Sequence, residues 1–76
     1  IIHPNPTNNG TVVINFAENN SVHDVFVTDI NGKTVQQWRG VSQNELQITG
    51  LKKGMYIIRT IDNKTGSRAN EKVVVN

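Results

Sequence analysis

The chain has 76 residues, a formal net charge of +2, 36% hydrophobic residues and no cysteine. That length holds a single domain, which buries only about 60% of the surface its unfolded chain exposes. The lack of cysteine excludes a disulfide staple, a thiol nucleophile and a thiolate-bound zinc, and no apolar stretch approaches the ~20 residues of a membrane-spanning helix. Residue 1 is isoleucine and no charged-then-apolar leader follows, so we expect a piece of a longer secreted precursor with its export signal upstream. Charged residues make up 18%, with Asn, Thr, Val and Ile plentiful. That balance fits a β-rich extracytoplasmic module, and neither a disordered tail nor a nucleic-acid binder.

Nothing reads as a helix. The apolar residues are mostly β-branched, and short apolar runs alternate with turn signals every 8–12 residues or so, the pattern of a β-sandwich or barrel. Residues 1–3 form a short first strand, stopped by Pro4 and Pro6, which cannot donate to a ladder. Residues 7–10 are a turn cluster. Residues 11–16 alternate, with Val12, Ile14 and Phe16 on one face. After a polar loop over 18–21, residues 22–30 form a strand with Val25 and Val27 on one face and Phe26 and Thr28 on the other. Asn31-Gly32 is the sharpest hairpin signal in the chain, since both residues accept positive φ cheaply. Residues 33–39 return, 40–44 are loop, and 45–49 place Leu46 and Ile48 inward. Residues 51–54 turn a corner into the strongest strand, 55–62, with Tyr56, Ile58 and Thr60 on one face. A loop over 63–67 leads to a last strand over 69–75. The expected fold is therefore an all-β, immunoglobulin-like, seven-stranded antiparallel sandwich. Its core is Val12, Ile14, Phe16, Val25, Val27, Leu46, Ile48, Leu51, Tyr56 and Ile58.

Charge divides along the chain. Residues 1–51 hold two cations against four carboxylates, a net of −2, and residues 52–76 hold six against two, a net of +4. Two explanations stand side by side: a basic face for an anionic partner, or lysines that guard an edge strand against pairing.

Catalytic signals are thin. His3 and His23 are the only histidines, and Ser21, Ser42 and Ser67 lack the glycine pattern of a nucleophile elbow. Asp24 and Asp29, five apart on one strand, project to opposite faces and form no acid–base pair. The stretch from Asp29 to Gly32 resembles the start of a calcium loop, but a full loop needs glycine sixth and an acid twelfth, and Gly40 is twelfth here. Three Asn-x-Ser/Thr triplets start at Asn9, Asn19 and Asn63, and each is read as chance in an Asn- and Thr-rich chain. Among the aromatics only Trp38 is left as a carbohydrate platform, and nucleic-acid binding lacks its interleaved aromatics and basics. We expect no catalytic residues, no metal and no cofactor.

Leu51-Lys52-Lys53-Gly54-Met55-Tyr56 has the form of a tyrosine corner, in which the ring enters the core and the hydroxyl bonds to backbone a few residues upstream. Gly54 would relieve the backbone where the chain crosses between sheets.

Four segments now line up in order: His3-Pro4-Asn5-Pro6-Thr7, Asp29-Ile30-Asn31-Gly32-Lys33-Thr34-Val35, the corner extended to Arg59, and Lys72-Val73-Val74-Val75-Asn76. Together they resemble the type A C-terminal sorting domain of the type IX secretion system of Bacteroidetes. The likeness covers the whole chain. His3 stands where that family usually has tyrosine, and Asn76 where lysine is common.

The resemblance implies an address label. The precursor would cross the inner membrane by an ordinary signal peptide, and the folded domain would be routed through the outer-membrane translocon to the cell surface or medium. A sortase-like peptidase would then remove it upstream of Ile1, leaving cargo attached or released. By carry-over, recognition would depend on Gly54, Tyr56 and the strand formed by Lys72, Val73, Val74, Val75 and Asn76. Physically, a terminal basic strand offers an open edge for strand addition and charge steering. The chain is expected to be a monomer whose partners are proteins of the secretion machinery. The rival reading is a non-catalytic β-sandwich module that holds carbohydrate or protein for a secreted enzyme.

Overall fold

The computed structural model describes residues 2–16 and 21–76. Ile1, most of the expected 18–21 loop and the triplet at Asn19 lie outside the described residues. Seven strands are present: β1 (Ile2–His3), β2 (Val12–Asn15), β3 (His23–Asp29), β4 (Thr34–Val41), β5 (Glu45–Ile48), β6 (Gly54–Asp62) and β7 (Arg68–Val75). In most of them apolar residues, many β-branched, are buried at every second position, which gives a pleated strand one dry face. Val12 and Ile14, Val25 and Val27, Tyr56 and Ile58, and Val73 and Val75 are buried, while the residues between them are not. The strands form two sheets, β1-β2-β5 and β4-β3-β6-β7, with all pairings antiparallel. The two dry faces meet as an immunoglobulin-like sandwich.

The core differs from the expected set in instructive ways. Ile2, Val41, Val73 and Val75 join it, while Phe16 and Leu46 are half-buried and pack against its margin. Leu46 lies on the edge strand β5, where one flank has no neighbour. Phe16 follows the end of β2 and stacks on the His23 ring at 4.2 Å. Val73 and Val75 were hidden by the unbroken Val73-Val74-Val75 run, which carries no alternation. Only pairing with β6, Tyr56 opposite Val73 and Gly54 opposite Val75, decides which valines point inward.

Two turns depart from expectation. The β3–β4 hairpin is closed by Asp29 and Lys33, so its loop spans Ile30-Asn31-Gly32, one residue longer than a two-residue turn. The Asp29 carboxylate accepts from the Asn31 and Lys33 amides at 2.9 and 3.0 Å, which fixes that loop. Strand β4 also runs through Gly40 to Val41 instead of ending at Arg39. Gly40 has φ +71 beside an irregularity in the β3–β4 register, and its amide donates to Asp24 at 3.0 Å, so the chain kinks without leaving the sheet.

Gly10 ties two turns of the chain together. Its φ is +76, its carbonyl accepts from the Leu51 amide at 3.1 Å, and a Cβ there would collide with the Leu51 carbonyl. The turn before β2 is thereby pinned to the corner before β6.

The burial pattern along β7 makes a direct test. Val73→Ala is expected to cost about 2 kcal/mol, because Val73 is fully buried, and Val74→Ala less than about 1 kcal/mol. Urea denaturation midpoints of the two variants check this, and equal losses would refute the register.

Candidate functional site

At the start of β6, Gly54 adopts φ +147, a conformation that L side chains rarely take. It turns the chain from the corner into the sheet, and Tyr56 then enters the core at 9% exposure. The Tyr56 hydroxyl donates to the Lys52 carbonyl at 2.7 Å, across four residues. The tyrosine corner expected from the sequence is thus present: the ring fills apolar space and its one polar atom satisfies a carbonyl in the turn.

The β6–β7 ladder places the corner beside the terminal strand, so the two groups of candidate recognition residues form one region. Val73 and Val75 are core residues, at 0% and 4% exposure. Lys72 and Asn76 are exposed and Val74 is half-buried, all with their backbone polar groups on the outer edge of β7. Of the expected set, Lys72, Val74 and Asn76 face outward, while Tyr56, Val73 and Val75 are sealed inside.

That outer edge is not open. The Asn5 side chain donates to the Lys72 carbonyl at 2.8 Å and accepts from the Val74 amide at 3.2 Å. The Thr7 amide donates to the Val74 carbonyl, and the Asn76 amide to the Thr7 carbonyl, each at 2.9 Å. Asn76 Nδ2 adds a bond to Asn8 Oδ1 at 3.0 Å. Thr7 forms a parallel bridge with Val75 and is buried at 1% exposure, its hydroxyl donating to the Thr11 carbonyl at 2.9 Å. The expectation of a free edge for strand addition at residues 72–76 is therefore corrected: residues 5–8 of the same chain already occupy it. Sequence reasoning read Pro4 and Pro6 only as strand breakers and missed this clasp. The signal was present, since an asparagine amide offers the donor and acceptor of a backbone peptide.

Three side chains of hydrolytic type do converge, but in the wrong order. His23 Nε2 lies 3.8 Å from an Asp62 oxygen, and the Ser21 hydroxyl bonds to the same carboxylate. The acid lies between serine and histidine, so His23 is not placed to take a proton from Ser21 as a nucleophilic pair requires. Buried Nδ1 of His23 has no hydrogen-bond partner. His23 lines a groove of about 260 Å³ at the end of the sandwich, with Phe16, Ile58, Asp62 and Ala69 among its other walls. Among the described residues no group of three or more His, Cys, Asp or Glu side chains could hold a metal. Trp38 is half-buried and packs against the core.

Two carboxylates are held below the ordinary range. Asp24 is lowered mainly by the Gly40 N–H, then by the Asn63 amide, with Arg39 adding attraction. Asp62 is lowered mainly by the Lys64 N–H, with Thr65, Ser21 and His23 adding to it. Both tie a loop to the sheet by accepting hydrogen bonds as anions.

Tyr56→Phe is expected to lose about 0.5–1.5 kcal/mol, the net value of one hydrogen bond. A denaturation midpoint equal to that of the unmodified chain would refute the corner's contribution. The depressed carboxylates have their own consequence. A group with a lowered folded-state pKa stabilises above its unfolded value, about 3.9 for Asp, and that stabilisation disappears as pH falls through the folded value. Stability should therefore drop on acidification below about pH 4, and Asp24→Asn should flatten part of that drop. Melting curves between pH 2 and 7 measure it, and an unchanged pH profile in Asp24→Asn counts against the anchor.

A family model described as "Secretion system C-terminal sorting domain" matches residues 1–76, the whole chain. No curated protein matches it.

Proposed function

The chain belongs to the family of secretion-system C-terminal sorting domains, and from that premise we propose how the signal is read. Its function is that of a sorting signal for type IX secretion. It works with the machinery of that system and directs export across the outer membrane to the cell surface or the extracellular space. The domain family is not a catalytic one.

In our reading the machinery touches the outward residues of the terminal strand, Lys72 and Val74, together with Asn76. Gly54, Tyr56, Val73 and Val75 act indirectly, by holding that strand in its place. The observation that carries this is the clasp: Asn5 and Thr7 fix residues 72–76 against β6 and leave their outward side chains in a defined array. We further read the domain as a monomer without enzymatic activity of its own, forming one C-terminal unit of its precursor. A sortase-like peptidase removes it from its cargo. The alternative of a sugar- or protein-holding module is not favoured.

Deleting residues 72–76 would remove Val73 and Val75 from the core, so retention of such a truncation would report a folding loss. A point change separates the two effects. Residues 1–76 are fused behind a periplasmic reporter in a type IX-competent host, with and without Lys72→Glu. The substitution is exposed and its backbone carbonyl still accepts from Asn5, so stability should change by less than about 0.5 kcal/mol. We expect the altered fusion to stay in the periplasm while the purified domain melts as before. Equal delivery of both fusions to the surface would remove Lys72 from the signal.

A further inference from the structure

The outward face of an antiparallel sheet in a small sandwich is normally polar. The outer face of β4-β3-β6-β7 mixes polar residues with a run of apolar ones. Along β6 the outward positions are Met55, Ile57, Arg59 and Ile61, because Tyr56, Ile58 and Thr60 point to the core side. Strand pairing sets Phe26 beside Arg59, Ile57 beside Lys72, and Ile61 beside Arg68. Phe26, Ile57 and Ile61 are half-buried, and Met55 is 45% exposed. At the β4 side the Arg39 guanidinium lies 5.5 Å from the Phe26 ring centroid.

The charge on this face is one-sided. Among the described residues Arg39, Arg59, Arg68 and Lys72 are its cations, and Asp24 is its single carboxylate, already engaged by Gly40, Asn63 and Arg39. The outer face of β1-β2-β5 differs. There the outward residues are His3, Val13, Asn15, Glu45 and Gln47, with no lysine or arginine. The excess of cations in the C-terminal part of the sequence is thus only half of the pattern. Arg39 from the other half joins Arg59, Arg68 and Lys72 on one plane, whereas Lys52, Lys53 and Lys64 lie in turns.

We propose that this face, centred on Phe26, Ile57 and Ile61 and framed by Arg39, Arg59 and Lys72, docks on an acidic protein surface with an apolar centre. The inference rests on the sorting function and extends the reading surface from one strand to a sheet. Composition selects the partner class. Three of the four cations are arginine, the cation enriched at protein interfaces and suited to two-pronged pairing with carboxylates. Aliphatic residues interrupt the cations, whereas an anionic polymer or membrane surface favours an unbroken basic patch. The face is also rigid sheet, so little ordering is needed on binding.

The test uses the reporter fusion of residues 1–76 in intact cells. Arg39→Glu with Arg59→Glu should reduce surface delivery at least tenfold or so, since it replaces two attractions to an acidic partner with two repulsions. Val13→Ser with Gln47→Glu, on the other face, should not. A photo-crosslinking phenylalanine analogue at position 26 should capture a protein, and the same analogue at position 13 should not. Melting of the purified domains controls for folding. If the reversed pair melts early, Arg39→Gln with Arg59→Gln replaces it. Retention of the unmodified fusion in the periplasm overturns the sorting function in this chain and the docking face with it. Export of unmodified and reversed fusions alike overturns the docking face alone. Capture of lipopolysaccharide instead of protein at position 26, or equal capture from both faces, overturns the protein partner.

Discussion

The fold depends on how the outer edge of its last strand is satisfied. Strand β7 pairs with β6 on one side, and on the other its backbone groups need partners or water. Asn5 and Thr7 supply them, running beside residues 72–76 with a side-chain amide in place of one peptide unit. The contact joins positions 67 and 69 residues apart in sequence. In the folded chain the clasp therefore holds residues 5–8 against the strand that buries Val73 and Val75. The same clasp draws the segment after β1 across to the opposite sheet, so it acts as a bridge between layers as well as an edge cover.

A second tie operates at the corner. Gly10 and Leu51 join the turn before β2 to the turn before β6, and Tyr56 closes that turn from inside the core. The Tyr56 hydroxyl would be left unpaired inside the core without its carbonyl, whereas the Asn5 bonds lie at the exposed edge and have the modest net value of hydrogen bonds in water. In a domain this small the two ties limit the ways two sheets of similar valine-rich strands can slide over each other.

Period-two burial made the strands and the sandwich legible, and the spacing from Leu51 to Tyr56 made the corner legible, because both are local patterns. What escaped was non-local. Whether Val73, Val74 or Val75 is buried depends on register with β6. The role of Asn5 depends on a strand almost at the other end of the chain. Gly40 looked like a strand terminator because its kink needs Asp24 on the neighbouring strand. The outward apolar residues of β6 were visible as letters, but Arg39 could not be placed among them until β4 was paired with β3.

The alternation that builds β7 also divides its labour. Val73 and Val75 secure the strand from within, so Lys72 and Val74 take up their outward positions only once the sandwich has closed. An unfolded chain carries the same letters but does not hold Lys72 beside Ile57, or Arg59 beside Phe26. A partner that needs these side chains in one plane thereby responds to the folded state, since scattered along a flexible chain they would have to be ordered at the expense of binding. On the proposed reading, the buried residues of the terminal strand and the clasp on its edge serve sorting without touching the machinery. Changes at Asn5, Tyr56 or Val73 would then lower the population of the folded surface, while changes at Lys72 or Arg59 would alter the surface itself. Folding stability and export would run in parallel for the first group and part company for the second.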